Sequence, residues 1–201
     1  QAKKKKAKIV VISAGGELQK FAKKNKYPAL TFTTENNPCG SPRMGLGYSI
    51  VGQLILFSKL VILKITKTQI KELIKTIAYY DTLFGVLTPE TENSAKKLAR
   101  LTVNKSVWYV ASEHLLGNAH IAANQINENA KRFAGYFAIP ELNHHLLEGM
   151  LNPTTNKNNL LFITLESKLY QNQVQKRYEI TKQVWKKNQI SFTSYVCQEK
   201  D

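Results

Sequence analysis

Two side chains of the types that move protons at neutral pH stand sixteen residues apart in this chain. They are the carboxylate of Glu128, in Gln125-Ile126-Asn127-Glu128-Asn129-Ala130-Lys131, and the imidazole of His144, in Pro140-Glu141-Leu142-Asn143-His144-His145. On a helix predicted from Asn118 to Arg132, Ala119, Ala122, Ile126 and Ala130 fall on one stripe that continues to Phe133. Glu128 then stands about 180° from that stripe and points away from the core. On an arbitrary helix such a glutamate is a solvated surface residue. Here its neighbours Asn124, Gln125, Asn127 and Asn129 are neutral amides. Asparagine is a poor helix former, so several together need another reason. A face of this kind suits a sugar or a polar interface. Pro140 fits the first turn of a helix that follows a strand, which puts His144 near a strand's C-terminal end, where open parallel sheets bind ligands. His144 and His145 diverge by about 100° and are poorly placed to chelate one ion, so no metal site is expected.

Three further features bear on chemistry. Gly15-Gly16 breaks a strand-to-helix turn, where glycine permits positive φ and close approach of a ligand. Arg43 follows Ser41-Pro42 and opens a hydrophobic helix. A guanidinium at the mouth of a sheet can bind phosphate or stabilise an enediolate, or merely close the loop. Gly45-Leu46-Gly47 does not complete a dinucleotide fingerprint, and no phosphate-loop Lys-Ser/Thr follows a glycine run.

The elements that must position these residues alternate between strand and helix. Strands are expected at 7–13, 29–33, 107–111, 135–139, 160–165 and 190–196, and helices at 17–25, 43–60, 66–84, 88–101, 118–132, 141–150 and 169–188. The alternation predicts an α/β fold, a three-layer αβα sandwich around a five-stranded parallel, doubly wound sheet. Residues 1–6 read as a basic arm and 7–201 as one lobe of a longer protein.

Composition narrows the classes. The chain has 201 residues, 43% of them apolar, which is inconsistent with global disorder. Its formal net charge is +15, and nine lysines face one glutamate in the first 26 residues. Charge of this kind speaks to solubility and attraction of anions; no zinc finger, helix-turn-helix or RNA-binding signature accompanies it, so nucleic acid is not the expected partner. No apolar secretory segment follows the charged N-terminus. The stretch Ile50 to Ile65, broken by Gln53, Ser58, Lys59 and Lys64, is too short and too charged to span a bilayer and is expected to be buried in a soluble core. Cys39 and Cys197 lack metal-type spacing and fit a reduced, cytoplasmic protein.

Four segments, in order and at matching spacing, resemble the bifunctional phosphoglucose/phosphomannose isomerases of the sugar isomerase (SIS) superfamily. They are Ile12 to Leu18, Ser41 to Tyr48, Gln125 to Lys131 and Pro140 to His144. The resemblance implies that 7–201 is the second of two SIS lobes in a chain that dimerises. It implies a hexose 6-phosphate substrate and no redox cofactor or metal. It matches Glu128 to the family's carboxylate base, His144 to its ring-opening histidine and Arg43 to its active-site arginine, with Gly15, Gly16 and Ser41 beside the substrate. The first lobe's serine/threonine-rich phosphate cradle and the C-terminal segment with the family's active-site lysine are not found in this sequence. The expected activity is interconversion of glucose or mannose 6-phosphate with fructose 6-phosphate; the alternative is a non-catalytic SIS module that binds a sugar phosphate.

Overall fold

The apolar run that begins at Ala7 contributes only three residues of strand, Val11–Ser13 (β1), in the computed structural model, which describes residues 1–197. The chain divides into two compact units, Gln1–Tyr80 and Asp81–Asp201. In the first, β1 pairs in parallel with Ala29–Thr31 (β2) through the crossover helix Gly16–Lys24 (α1). The expected arm is a folded turn whose Lys3 Nζ donates to Asn25 Oδ1 at 2.6 Å, so it lies against the end of α1. A 3₁₀ turn at Pro42–Met44 leads into Leu46–Lys59 (α2). Gly52 is buried where α2 meets the strands; a Cβ there would stand 3.2 Å from Leu30 and 3.4 Å from Ile12. The helix Lys67–Phe84 (α3) follows and carries the division between the units.

The expectation that Ile50 to Ile65 is buried does not hold in this chain. Ile50, Val51, Ile55, Phe57 and Leu60 to Leu63 are all exposed, and so are Ile70, Leu73, Ile74 and Ile77 along α3. Two short strands offer too little sheet to cover them. An apolar cleft of about 460 Å³ between β2 and α2, lined by Leu30, Phe32, Tyr48, Val51 and Ile55, stays open.

The second unit holds a full sheet. After Ser94–Leu101 (α4), whose N-cap Asn93 accepts from Lys96 N, come the strand Ser106–Ala111 (β3), the helix Leu116–Glu128 (α5) and the strand Ala134–Ala138 (β4). Glu141–Gly149 (α6), the single turn Asn156–Asn159 (α7), Leu160–Glu166 (β5), Asn172–Lys187 (α8) and Ser191–Val196 (β6) complete it. All pairings are parallel, in the order β4-β3-β5-β6. The parallel α/β class expected from the alternation is present. The strands are divided between a sheet of four and a pair, rather than joined in one sheet of five.

Both faces of the four-stranded sheet are covered. Val110 and Phe162 turn to one side and meet Leu142 of α6 with Tyr178 and Trp185 of α8. Val107, Ala134, Leu161 and Ile163 turn to the other and meet Leu98 of α4 and Ile126 of α5. The near-continuous apolar strands are what burial on two faces requires. Gly135 in β4 leaves room for the indole of Trp108; a Cβ there would lie 2.4 Å from the ring. Among the described residues no helix is long and apolar enough to cross a membrane.

Candidate active site

Glu128 is the last residue of α5 and is exposed. The helix stops there, four residues short of the expected end, for two local reasons. Lys131 takes positive φ (55°), and its Nζ donates to the carbonyl of Glu128 at 2.6 Å. Asn127 ties the helix end to the next strand: its Nδ2 donates to Ala123 O and Ala134 O, both at 2.8 Å, and its Oδ1 accepts from Ala134 N at 3.2 Å. Asn129 Nδ2 donates to Gln125 Oε1. Part of the amide face is therefore structural. Its result is a fixed loop that holds up one carboxylate. The nearest lysine in sequence is turned to the backbone, and no cation pairs with the Glu128 carboxylate among the described residues.

His144 is exposed in the first half of α6, and Pro140 is that helix's N-cap. Beside it His145 Nε2 lies 3.7 Å from Glu141 Oε1 and its ring meets Phe137 edge-on. α5 ends where β4 begins, and α6 starts where β4 ends. Glu128 and His144 therefore occupy opposite edges of the sheet, separated by the length of β4, roughly 16 Å at the rise of a parallel strand.

The other predicted residues belong to the first unit. Gly15 (φ 151°) and Gly16 (φ 69°) form the turn after β1, where Ser13 Oγ accepts from Gly15 N at 3.0 Å. Ser41 O accepts from Asn37 Nδ2 at 2.8 Å, and Arg43 sits in the 3₁₀ turn before α2. Gly15 and Gly16 thus follow the C-terminal end of β1, and Ser41 and Arg43 lie in the connection from β2 to α2.

Doubly wound sheets usually take ligands at the switch point, here between the ends of β3 and β5. In this unit that crevice is filled. Ser112, 1% exposed, donates from its N to the Tyr170 hydroxyl (3.1 Å) and from its Oγ to Ile139 O (2.8 Å), and it meets Tyr178 Oη at 3.2 Å. The Tyr170 hydroxyl donates to Leu165 O at 3.0 Å. Burial raises both phenols above the ordinary tyrosine value, so they stay neutral hydrogen-bonding groups. These residues lie 58 and 66 positions apart in the chain, and no local pattern announces them.

At the far end of β5, Glu166 takes two hydrogen bonds from Lys182 Nζ (2.9 and 3.0 Å) and one from Thr164 Oγ1 (2.7 Å). Burial opposes its charge, but the bonds from Thr164, Lys182 and Ser194 outweigh it and hold the carboxyl below its usual range. A lowered folded-state value adds stability that is complete above the unfolded value, about 4.3, and is lost as pH falls through the folded one. Glu166→Gln should therefore lower the denaturation midpoint at neutral pH, and the deficit should vanish in strong acid. A deficit constant with pH would contradict this.

The second unit is a doubly wound α/β lobe of the sugar isomerase class. Residues 91–201 match the bacterial phospho-glucose isomerase C-terminal SIS domain, over half of the chain, and the chain belongs to that family. It is 35% identical over 154 residues to a bifunctional phosphoglucose/phosphomannose isomerase of Caldicellulosiruptor bescii. The matched stretch is 76% of this chain and 44% of that protein.

Proposed function

We propose that the protein to which this chain belongs is an aldose–ketose isomerase acting on a hexose 6-phosphate, interconverting glucose or mannose 6-phosphate with fructose 6-phosphate. The observation that carries this reading is the exposed Glu128 carboxylate at a pinned helix end, with no counter-ion among the described residues. A base with no competing cation is free to take a proton from carbon. His144 assists opening of the pyranose ring. The Glu128 carboxylate then removes the C2 proton of the open aldose, and the electron pair moves to form an enediolate across C1 and C2. The C2 hydroxyl proton passes to the C1 oxyanion, the same carboxylic acid returns its proton to C1, and the C2 oxygen becomes the carbonyl. Arg43, by its match to the family's arginine, balances the negative charge of that intermediate, with Gly15, Gly16 and Ser41 beside the sugar phosphate. The proton only changes carbon, so the step has no net oxidation.

A first SIS lobe and a second copy of the chain are part of the proposal. The exposed apolar faces of α2 and α3 support them, because soluble monomers rarely leave such large patches uncovered. The family match over residues 91–201 supports a second SIS lobe in this chain, read from the sequence as 7–201. Cytoplasmic residence goes with this activity. The test is the fate of the label at C2: with C2-deuterated glucose 6-phosphate in ordinary water, deuterium should leave C2 at a rate comparable to turnover, passing to C1 of the ketose or to solvent. Sugar-phosphate binding with full retention of label and no ketose would instead support a module without catalysis.

A further inference from the structure

Asn143 is the polar residue in an otherwise apolar arc of α6. The helix turns Leu142 into the core, fully buried, and lays Leu146 and Leu147 against the same cluster. Asn143 is three and four residues from those leucines and shares their side of the helix, where another leucine would bury more apolar surface. Its Nδ2 donates to Thr181 Oγ1 of α8 at 2.7 Å. Thr181 is 1% exposed and lies between Tyr178 and Trp185, both core residues. The Asn143 Oδ1 is shielded from solvent and finds no hydrogen-bond partner among the described residues.

Asn143 as a whole is half-buried, but a hydrogen bond to a buried hydroxyl and a shielded amide oxygen are costly in an apolar setting, and the best-attested use of such a polar pair is to fix register between packed elements. Here it fixes one helix on another. Successive residues of a helix turn by about 100°. With Leu142 in the core and Asn143 bound to α8, the exposed direction of His144 is set. Leucines alone would allow α6 to roll or slide among similar packings.

We propose that the Asn143–Thr181 hydrogen bond fixes the rotation of α6 and thereby aims the His144 imidazole, which makes Asn143 a positioning residue. The proposal rests on the ring-opening role of His144 given above. The test uses Thr181→Val, Thr181→Ser and Asn143→Leu in the complete protein. Amide hydrogen exchange over residues 141–147 should speed up at least ~10-fold in Thr181→Val and stay as in the parent in Thr181→Ser, which keeps the hydroxyl. Asn143→Leu should lower kcat on the ring-closed sugar ~10- to 100-fold, with KM changed less than ~2-fold and activity on an open-chain analogue retained. Added to His144→Ala, it should cost nothing more. Unchanged exchange in Thr181→Val overturns the proposal, and so does a loss that adds in full to that of His144→Ala. If His144→Ala itself is fully active, the site reading fails and the positioning role falls with it. Faster exchange in Thr181→Val would then show that the helix clamp was real and the functional assignment was at fault.

Discussion

Glu128→Gln should leave hexose-phosphate binding nearly intact and lower turnover by at least ~10²-fold, the lower range of what a positioned base contributes. Glutamine keeps the shape and the polarity of the site but cannot accept the C2 proton. The surroundings offer no substitute. Gln125, Asn127 and Asn129 are amides, and Lys131 is committed to the Glu128 carbonyl. The loop should survive the change, because its bonds run through Asn127 and the backbone rather than the carboxylate. Steady-state kinetics with a parallel binding measurement separates the two effects. Turnover close to that of the parent would remove Glu128 as the base.

Trp185→Ala should cost ~3–5 kcal/mol, the usual range for deleting a large buried aromatic. The indole is fully buried, stacks on Phe162 with ring centroids 4.7 Å apart, meets Phe192 at 5.7 Å and donates from Nε1 to Met150 Sδ at 3.1 Å. It joins α8 to β5, β6 and the end of α6, so collapse around the cavity would have to move several elements together. Against a total stability of about 5–15 kcal/mol, the loss removes a large share. Denaturant melts of the variant and parent test it. A difference under ~1 kcal/mol would mean that the face packs around something other than this ring.

Much of this architecture was legible beforehand. The strands at 106–111, 134–138, 160–166 and 191–196 fall within a residue of their apolar runs, because burial on two faces leaves a continuous signal. The end of α5 was not legible. It depends on Asn127 reaching Ala134 and on positive φ at Lys131, which are tertiary and conformational facts rather than periodicities. The stretch Ile50 to Ile65 misled for a different reason. Apolar spacing reports that a face wants cover, but not whether these residues include the cover. Glu128 and His144 stand out as candidates from residue type and setting, whereas Asn143 in the leucine arc carried a signal that could have been read: one amide where the pattern asks for an aliphatic side chain.

α5 delivers Glu128 to one rim of the second unit's sheet and α6 delivers His144 to the other, so under the proposed roles the two groups that serve one hexose are expected to come from different copies of the chain. On the proposed dimer, turnover should fade on dilution as associated molecules come apart. Two inactive proteins, Glu128→Gln and His144→Ala, should then rescue one another on mixing. Random re-pairing into twofold dimers leaves half of the pairs mixed, each with one intact centre of two, so roughly a quarter of the parental rate should return.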